Sequence, residues 1–210
     1  MSGFTVHDCD QGSPEWFAAR AGIPTASQFD TVMAQGRTKG SPSVTRRKYM
    51  LTLIGEALSG ACVESYSNAH MERGHQMEQE ARDLYAMVSG HEPVQVGFMR
   101  RALPTGDAGA SPDSLIGDDG LLEIKTALPH IQLERFLAGE LPAEHRAQVQ
   151  GQLWISGRQW ADFVSYWPAL PILIVRVARD EQYIETIAQA VADFNSEMAA
   201  LTDQIARRAA

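Results

Sequence analysis

The segment SPDSLIGDDGLLEIK, from Ser111 to Lys125, constrains the fold more than any other part of the chain. Two short, largely apolar arms flank a turn rich in glycine and aspartate at residues 117–120, a pattern typical of a β-hairpin. The second arm carries Glu123 and Lys125 two positions apart, so both side chains leave the same face of the strand. Ile124, between them, points the opposite way. An acid and an amine inside an apolar strand are costly unless each is compensated.

The register of this hairpin decides whether Asp113, on the first arm, joins Glu123. A two-residue turn at residues 118–119 would place Asp113 opposite Ile124, on the wrong face of the hairpin. A loop of odd length, or a bulge beside one of the turn glycines, would place it on the face of Glu123. The sequence therefore predicts an irregular turn.

Asp113, Glu123 and Lys125 together indicate which type of reaction the chain could catalyse. Two carboxylates a few ångströms apart repel, and one of them takes up a proton unless a cation neutralises the pair. Mg²⁺ suits this role, because the two carboxylates and the backbone carbonyl of Ile124 are hard oxygen ligands. Lys125 would then hold the attacking water and offset charge on a phosphate, as metal-assisted phosphodiester hydrolysis requires. An alternative stays open, since Glu-x-Lys is also frequent as an exposed ion pair and aspartate is common before turns.

Composition bounds the class of protein. The 210 residues carry a net charge of −8, which argues against nucleic-acid binding through overall charge. The segment 36–48 is a local exception, because it contains five basic residues and no acid, either as a solvated loop or as a phosphate-binding segment. The cysteines lack metal-ligand spacing, and we find neither a secretion signal nor a membrane-spanning run. We expect one cytoplasmic domain over residues 1–210, with no membrane partner.

The order of helical and extended patterns predicts an α/β fold with a central mixed sheet. The expected helices lie over residues 14–20, from a capping box at 25–28 to about 36, and over 44–58, 69–88, 142–157 and 180 onward. The expected strands lie over 94–98, in the two hairpin arms, and over 162–167 and 171–177. The apolar seam of the last helix is expected to pack on the chain's own core.

Two of these helices carry further polar candidates. Glu78 lies four residues before Arg82, which alone favours an ordinary ion pair on the helix surface. The helix over 142–157 displays His145, Gln148 and Gln152 along one side. We interpret His145 as a surface histidine rather than as a catalytic base.

The residues resemble the signature of the PD-(D/E)XK nuclease superfamily, in which an aspartate is followed by Glu-x-Lys on the next strand. Within it, the chain resembles lambda exonuclease and the YqaJ-type viral recombinases, the alkaline exonuclease family. The matching stretches, in the family's order over most of the chain, are AGIPTAS (21–27), VMAQGR (32–37), RG (73–74), QMEQEAR (76–82), SPD (111–113), LEIK (122–125) and AQVQ (147–150). The chain departs from the family at Ser114, where glycine is usual, and at Thr126-Ala127, where Cys-Pro is frequent.

The resemblance implies a restriction-endonuclease-like core, in which a central mixed β-sheet is flanked by helices, and a role for each matching residue. The metal ligands would be Asp113, Glu123 and the Ile124 carbonyl, with Glu78 holding metal-bound water or a second ion. Lys125 would position the nucleophilic water, and Gln148 would contact either the scissile phosphate or the neighbourhood of Lys125. The positions that match the family's pocket for a terminal 5′-phosphate are Arg20, Ser27, Arg37 and Ser111.

The resemblance also implies an activity. It is that of a Mg²⁺-dependent 5′→3′ exonuclease, which digests one strand of linear double-stranded DNA to 5′-mononucleotides and leaves 3′ overhangs for strand annealing. Two ions per site, substitution by Mn²⁺, a ring-shaped homotrimer, a single-strand annealing partner and a phage or prophage origin in a bacterial cytoplasm are implied with it. Two other interpretations remain: a PD-(D/E)XK endonuclease of restriction or repair type, and a non-catalytic DNA-binding module.

Overall fold

The computed structural model describes residues 3–36, 43–62 and 69–209, without the side chains of 69–76. The elements in chain order are β1 (Phe4–His7), α1 (Pro14–Arg20), a 3₁₀ turn (Ala26–Gln28), α2 (Phe29–Met33), α3 (Val44–Ser59), α4 (Ala69–Ser89), β2 (Pro93–Val94), β3 (Phe98–Leu103), β4 (Gly106–Ala110), β5 (Ser114–Ile116), β6 (Gly120–Thr126), α5 (Pro129–Ala138), α6 (Ala143–Ser156), β7 (Trp160–Tyr166), β8 (Leu173–Ala178) and α7 (Glu181–Ala209). None of the helices in these ranges is long and apolar enough to cross a membrane.

The larger sheet has the order β2-β5-β6-β7-β8. Its β6 and β7 run parallel, and its other neighbouring strands are antiparallel. Helices α5 and α6 connect β6 to β7, because two parallel neighbours need a long crossover between them. The central mixed sheet flanked by helices is therefore confirmed. A second, antiparallel sheet of β1, β3 and β4 was not predicted.

The two faces of the larger sheet pack against different helices. On one face, Leu121 and Phe163 join a core to which α2, α3, α6 and α7 contribute. On the other face, Leu122, Ile124 and Val164 pack against Ala81 and other residues of α4. The side chains of β6 therefore alternate between two cores, and Glu123 faces α6.

Helix α7 packs along the chain's own core, as its apolar seam predicts. Ile184, Ile187, Val191 and Phe194 are buried, and Met198, Leu201 and Ile205 pack against the same core. Helix α1 also begins as predicted, because the Ser13 side chain accepts a hydrogen bond from the N–H of Trp16 and Pro14 follows it.

Two local predictions are wrong. The side chain of Thr25 makes no capping hydrogen bond; a 3₁₀ turn and a short α2 that ends at Met33 replace the expected helix to residue 36. The expected strand over 94–98 is split between β2 and β3, which belong to different sheets. The chain changes sheet at Gly97, where a Cβ atom would lie only 2.3 Å from the carbonyl oxygen of His7, so only glycine allows the crossing.

Candidate active site

The hairpin of β5 and β6 has the odd-length loop that the sequence analysis required. Ile116 pairs with Gly120, so three residues, 117–119, form the loop, and Gly117 adopts a φ of 51°. Because Ser114 pairs with Leu122, Asp113 comes opposite Glu123, and its N–H donates to the Leu122 carbonyl at 3.1 Å. The register prediction is confirmed.

Arg158, in the connection between α6 and β7, stabilises this loop. Its Nη1 donates to the carbonyl oxygens of Gly117 at 2.8 Å and Gly120 at 2.7 Å. Gln159 adds a backbone N–H to the Asp119 carbonyl at 2.8 Å. The turn that sets the register is therefore held by groups from the connection between α6 and β7.

Glu123 is the centre of the site and is only 1% exposed. Its Oε1 accepts hydrogen bonds from Gln148 Nε2 and lies near Lys125 Nζ, each at 2.5 Å, while its Oε2 accepts from Gln152 Nε2 at 2.5 Å. The two glutamines are four residues apart on α6 and so share one helix face. One ammonium and two amides therefore compensate the buried carboxylate.

Asp113 lies beside this cluster, and its Oδ2 accepts a hydrogen bond from the N–H of Ile124 at 2.5 Å. Burial, then repulsion from Glu123 and Glu78, raises the pKa of Asp113 well above its ordinary value. Burial opposes the charge on Lys125, but attraction to Glu123 and Asp113 prevails and raises the pKa of Lys125. The site thus holds one ammonium group among several acids.

These residues fit a divalent cation. A second carboxylate beside Glu123 is stable in its charged form only with additional positive charge, and Mg²⁺ prefers carboxylate, carbonyl and water oxygens. Among the described residues, no three acid, histidine or cysteine side chains converge as a complete ligand set. Asp113, Glu123 and the Ile124 carbonyl would therefore hold the ion with water completing its shell.

Glu78 lies close enough to raise the pKa of Asp113, and both residues line one cavity of about 350 Å³. Its Oε1 also accepts a hydrogen bond from Arg82 Nη2 at 2.6 Å, as the spacing on α4 predicts. The nearly buried Arg82 reaches on to Ser114 Oγ at 3.0 Å. Glu78 is therefore both an ion-pair partner and a neighbour of the acidic cluster.

A cavity of about 230 Å³, here called the end cavity, is bounded in part by the polar face of α6. Its lining residues are Gln11, Trp16, Arg20, Thr25, Ala26, Ser27, Ser111, Gln148 and Gln152. The guanidinium of Arg20 stacks on Trp16 at 4.2 Å, and Trp16 Nε1 donates to Ser111 Oγ at 2.8 Å. The end cavity thus unites a cation with several hydroxyl groups beside the carboxylates.

The end cavity brings together three of the four residues expected to bind a 5′-phosphate: Arg20, Ser27 and Ser111. The fourth, Arg37, lies outside the described residues, as does Lys39 of the basic run. Arg46 of that run forms two hydrogen bonds with Glu197 on α7, at 2.6 and 2.9 Å, so its guanidinium holds two helices together.

The chain is similar to known proteins over most of its length. The model of the YqaJ-like viral recombinase domain matches residues 15–159. An alkaline exonuclease, LHK-Exo from Laribacter hongkongensis, is 37% identical, with a TM-score of 0.82 over 94% of this chain and 98% of that chain. The chain belongs to the YqaJ-like viral recombinase family.

Two more solved structures resemble this YqaJ-family chain. LHK-Exo in complex with dAMP gives a TM-score of 0.84, at 37% identity and over the same shares of both chains. A phage-related exonuclease from Haemophilus somnus, 15% identical, has a TM-score of 0.64 over 90% of this chain and 96% of that chain, which supports the fold alone. Among curated proteins, none matches the chain significantly.

The interpretation of His145 as a surface residue is wrong for this YqaJ-family chain. Its side chain is only 15% exposed, its ring stacks on Phe163 with centroids 5.1 Å apart, and its Nε2 lies 2.9 Å from Arg135 Nη2. A guanidinium only donates, so Nε2 accepts and the imidazole is neutral. Burial, then Lys125 and Arg135, lowers the pKa of His145 accordingly.

The sequence analysis also left Gln152 without a role. Its position four residues after Gln148 was a usable signal, because both side chains had to share one face of α6. Trp16 and Gln11 of the end cavity gave no such signal, since only the fold brings them to Ser111 and Pro112, respectively.

Proposed function

We propose that this YqaJ-family chain is a Mg²⁺-dependent 5′→3′ exonuclease that digests one strand of linear double-stranded DNA to 5′-mononucleotides. The observation that carries the proposal is the position of Asp113, Glu123 and Lys125 beside the end cavity. The carboxylates support metal-assisted hydrolysis, and the cavity supports selection of a phosphorylated chain end. Family membership and the similarity to an alkaline exonuclease support the same conclusion.

Different residues of the chain would have different roles in hydrolysis. When bound, Mg²⁺ supplies a Lewis acid for the phosphate and lowers the pKa of water. Lys125, held at Glu123 Oε1, would orient the attacking water and offset charge on the phosphate oxygens. Gln148, which reaches Glu123 and also lines the end cavity, would contact the scissile phosphate.

The end cavity supports both the polarity and the product. Arg20 and the Ser27 and Ser111 hydroxyls would bind the terminal 5′-phosphate through charge-assisted hydrogen bonds. With that phosphate fixed beside the carboxylates, the first phosphodiester of the same strand is the one presented for cleavage, and a 5′-mononucleotide leaves. The complex of LHK-Exo with dAMP, a 5′-mononucleotide, supports this product.

The proposal extends to assembly and partners. A ring-shaped homotrimer would let an acidic chain stay on DNA, because enclosure replaces electrostatic affinity. We also propose that each site binds two ions and that Mn²⁺ can replace Mg²⁺. The protein would act with a single-strand annealing partner in phage recombination. Glu78 beside Asp113 is the candidate for the second ion.

The deciding experiment is digestion of linear duplexes labelled at the 5′ or the 3′ end, with supercoiled plasmid alongside. We expect immediate release of labelled 5′-mononucleotide from the 5′ end, delayed release of 3′ label, and an intact plasmid. Plasmid cleavage would favour the endonuclease, and absence of Mg²⁺-dependent hydrolysis on any substrate would favour the DNA-binding module.

Replacing Arg20 with glutamine should reduce the preference for 5′-phosphorylated over 5′-hydroxyl ends by roughly tenfold, the effect of losing one hydrogen bond to a charged group. The rate on hydroxyl ends should change little, because Arg20 lies in the end cavity rather than at the carboxylates. Initial rates on both substrates measure this.

Arg146→Gln is the matched control, since Arg146 pairs with Asp180 at 2.9 Å and does not line the end cavity. An equal loss on both kinds of end in Arg20→Gln would count against a phosphate-binding role for this cavity.

A further inference from the structure

Gln152 contacts both the Glu123 carboxylate and the end cavity. Its Nε2 donates to Glu123 Oε2 at 2.5 Å, and its side chain lines the end cavity while being only 1% exposed. Gln148, one helical turn earlier, also donates to Glu123 and lines the end cavity, but it is only half-buried. Two amides of α6 therefore form the wall between the catalytic carboxylate and the end cavity.

The amide of Gln152 has one acceptable orientation. Rotation by half a turn would place its carbonyl oxygen against the Glu123 carboxylate, where two acceptors repel. In the observed orientation Oε1 is buried and has no hydrogen-bond partner among the described residues. A buried polar atom of this kind is costly, and the hydrogen bond that Nε2 donates to the buried Glu123 carboxylate offsets part of that cost. Gln152 is therefore poorly explained by packing alone.

The three donors around Glu123 differ in their freedom to move. Gln148 and Lys125 share Oε1, and a phosphate in the end cavity would compete for the N–H groups of Gln148, which lines that cavity. Departure of Gln148 would leave a lone pair of Oε1 for a metal ion. Gln152, which is deeply buried, would keep Oε2 in place meanwhile.

We propose that Gln152 is a positioning residue: by holding Glu123 Oε2 while a 5′-phosphate in the end cavity draws Gln148 away from Oε1, it couples the binding of that phosphate to the binding of a divalent ion at Asp113 and Glu123. The inference rests on the proposed function. It requires a phosphorylated DNA end and the metal ion to increase each other's affinity by the same factor, because coupling between two binding sites is reciprocal.

The test is a binding measurement without hydrolysis. Fluorescent duplexes with a 5′-phosphate or a 5′-hydroxyl carry a methylene phosphonate in place of the first linkage, and their dissociation constants are measured in EDTA and in Mg²⁺. The coupling factor is the Mg²⁺-induced gain in affinity for the phosphorylated end divided by the gain for the hydroxyl end. We expect roughly tenfold for the wild type, within the usual range of such couplings.

Gln152→Met should reduce the coupling factor to about one, while the affinity for phosphorylated ends in EDTA stays within about twofold of the wild type, because the cation and hydroxyls of the cavity remain. Gln150→Met is the matched control. Gln150 is another buried glutamine of α6, but it bonds to Ala178 and Asp180, away from the site. This control should keep the wild-type coupling factor.

The outcomes separate this inference from the proposed function. A wild-type factor of one, or an unchanged factor in Gln152→Met, would overturn the role of Gln152 even if phosphorylated ends are preferred. A wild type that prefers phosphorylated ends in neither condition would instead contradict the proposed function. If Gln152→Met does not fold, Gln152→Ser, whose hydroxyl is too short to reach Glu123, undergoes the same measurement.

Discussion

Replacing Lys125 with methionine should lower the rate of DNA hydrolysis by roughly 10²- to 10³-fold, the usual effect of removing one group that stabilises developing charge. Methionine keeps the length of the side chain but removes the ammonium that lies 2.5 Å from Glu123 Oε1. The attraction of Glu123 and Asp113 raises the pKa of Lys125 against the effect of burial, so the wild-type group is charged. The variant loses that charge where the phosphate would react.

Single-turnover hydrolysis at saturating Mg²⁺, with DNA binding measured separately, isolates this effect. Arg207→Met, which removes an exposed cation in the last turn of α7, should retain the wild-type rate. If the Lys125→Met enzyme cleaves within a few-fold of the wild-type rate, Lys125 has no direct role in the chemical step.

Replacing Asp162 with alanine should lower the free energy of unfolding by about 2 kcal/mol, a typical loss when a buried hydroxyl is left without its acceptor and a hydrogen-bonded charge is removed. Asp162 is 2% exposed on β7, and it accepts hydrogen bonds from Tyr85 Oη at 2.7 Å and from Arg176 at 2.9 and 2.8 Å. Without it, the fully buried Tyr85 hydroxyl loses its acceptor. Arg176, stacked on Trp160 at 3.7 Å, loses its counter-ion.

Urea unfolding measures this loss. Tyr85→Phe, which removes only the hydroxyl, should cost about 1 kcal/mol and serves as the smaller step in the same network. Since Asp162 faces α4 and not α6, hydrolysis per folded molecule should stay close to the wild-type value. A loss below about 1 kcal/mol for Asp162→Ala would show that the network contributes little beyond a surface pair.

The parts of the fold that the sequence predicts are those with a local cause. The apolar seam of α7 follows from helical spacing, and the odd loop of the hairpin follows from the requirement that Asp113 and Glu123 share a face. The start of α1 follows from the N-cap at Ser13. Each of these depends on a few neighbouring residues.

The smaller sheet could not be predicted in this way. Strand β4 has the sequence GDAGA, whose glycines disfavour a strand in isolation. Gly109 is required there by tertiary packing, because a Cβ atom would lie 2.1 Å from Cζ of Phe98 on β3. Helix α5 was also missed, because its buried face is polar: Gln132 is fully buried, whereas Leu133, Phe136 and Leu137 are exposed.

The role of Gln152 likewise depends on how closely α6 approaches its neighbours. Gly151 allows that approach, since a Cβ atom there would lie 2.4 Å from Cδ2 of Phe29 in α2. Helix spacing predicts that Gln148 and Gln152 share a face, but only the packing shows that this face lies on Glu123. The identities of the central acids and lysine were predictable, whereas the donors that hold them depended on tertiary contacts.

The most direct measurement of the central claim is calorimetric titration of Mn²⁺ into the wild type and into the Asp113→Asn and Glu123→Gln variants, with Glu185→Gln as an exposed control on α7. We expect saturable binding by the wild type and the control, and loss of that binding in each of the two site variants. Equal Mn²⁺ binding by all four proteins would contradict a metal centre at Asp113 and Glu123.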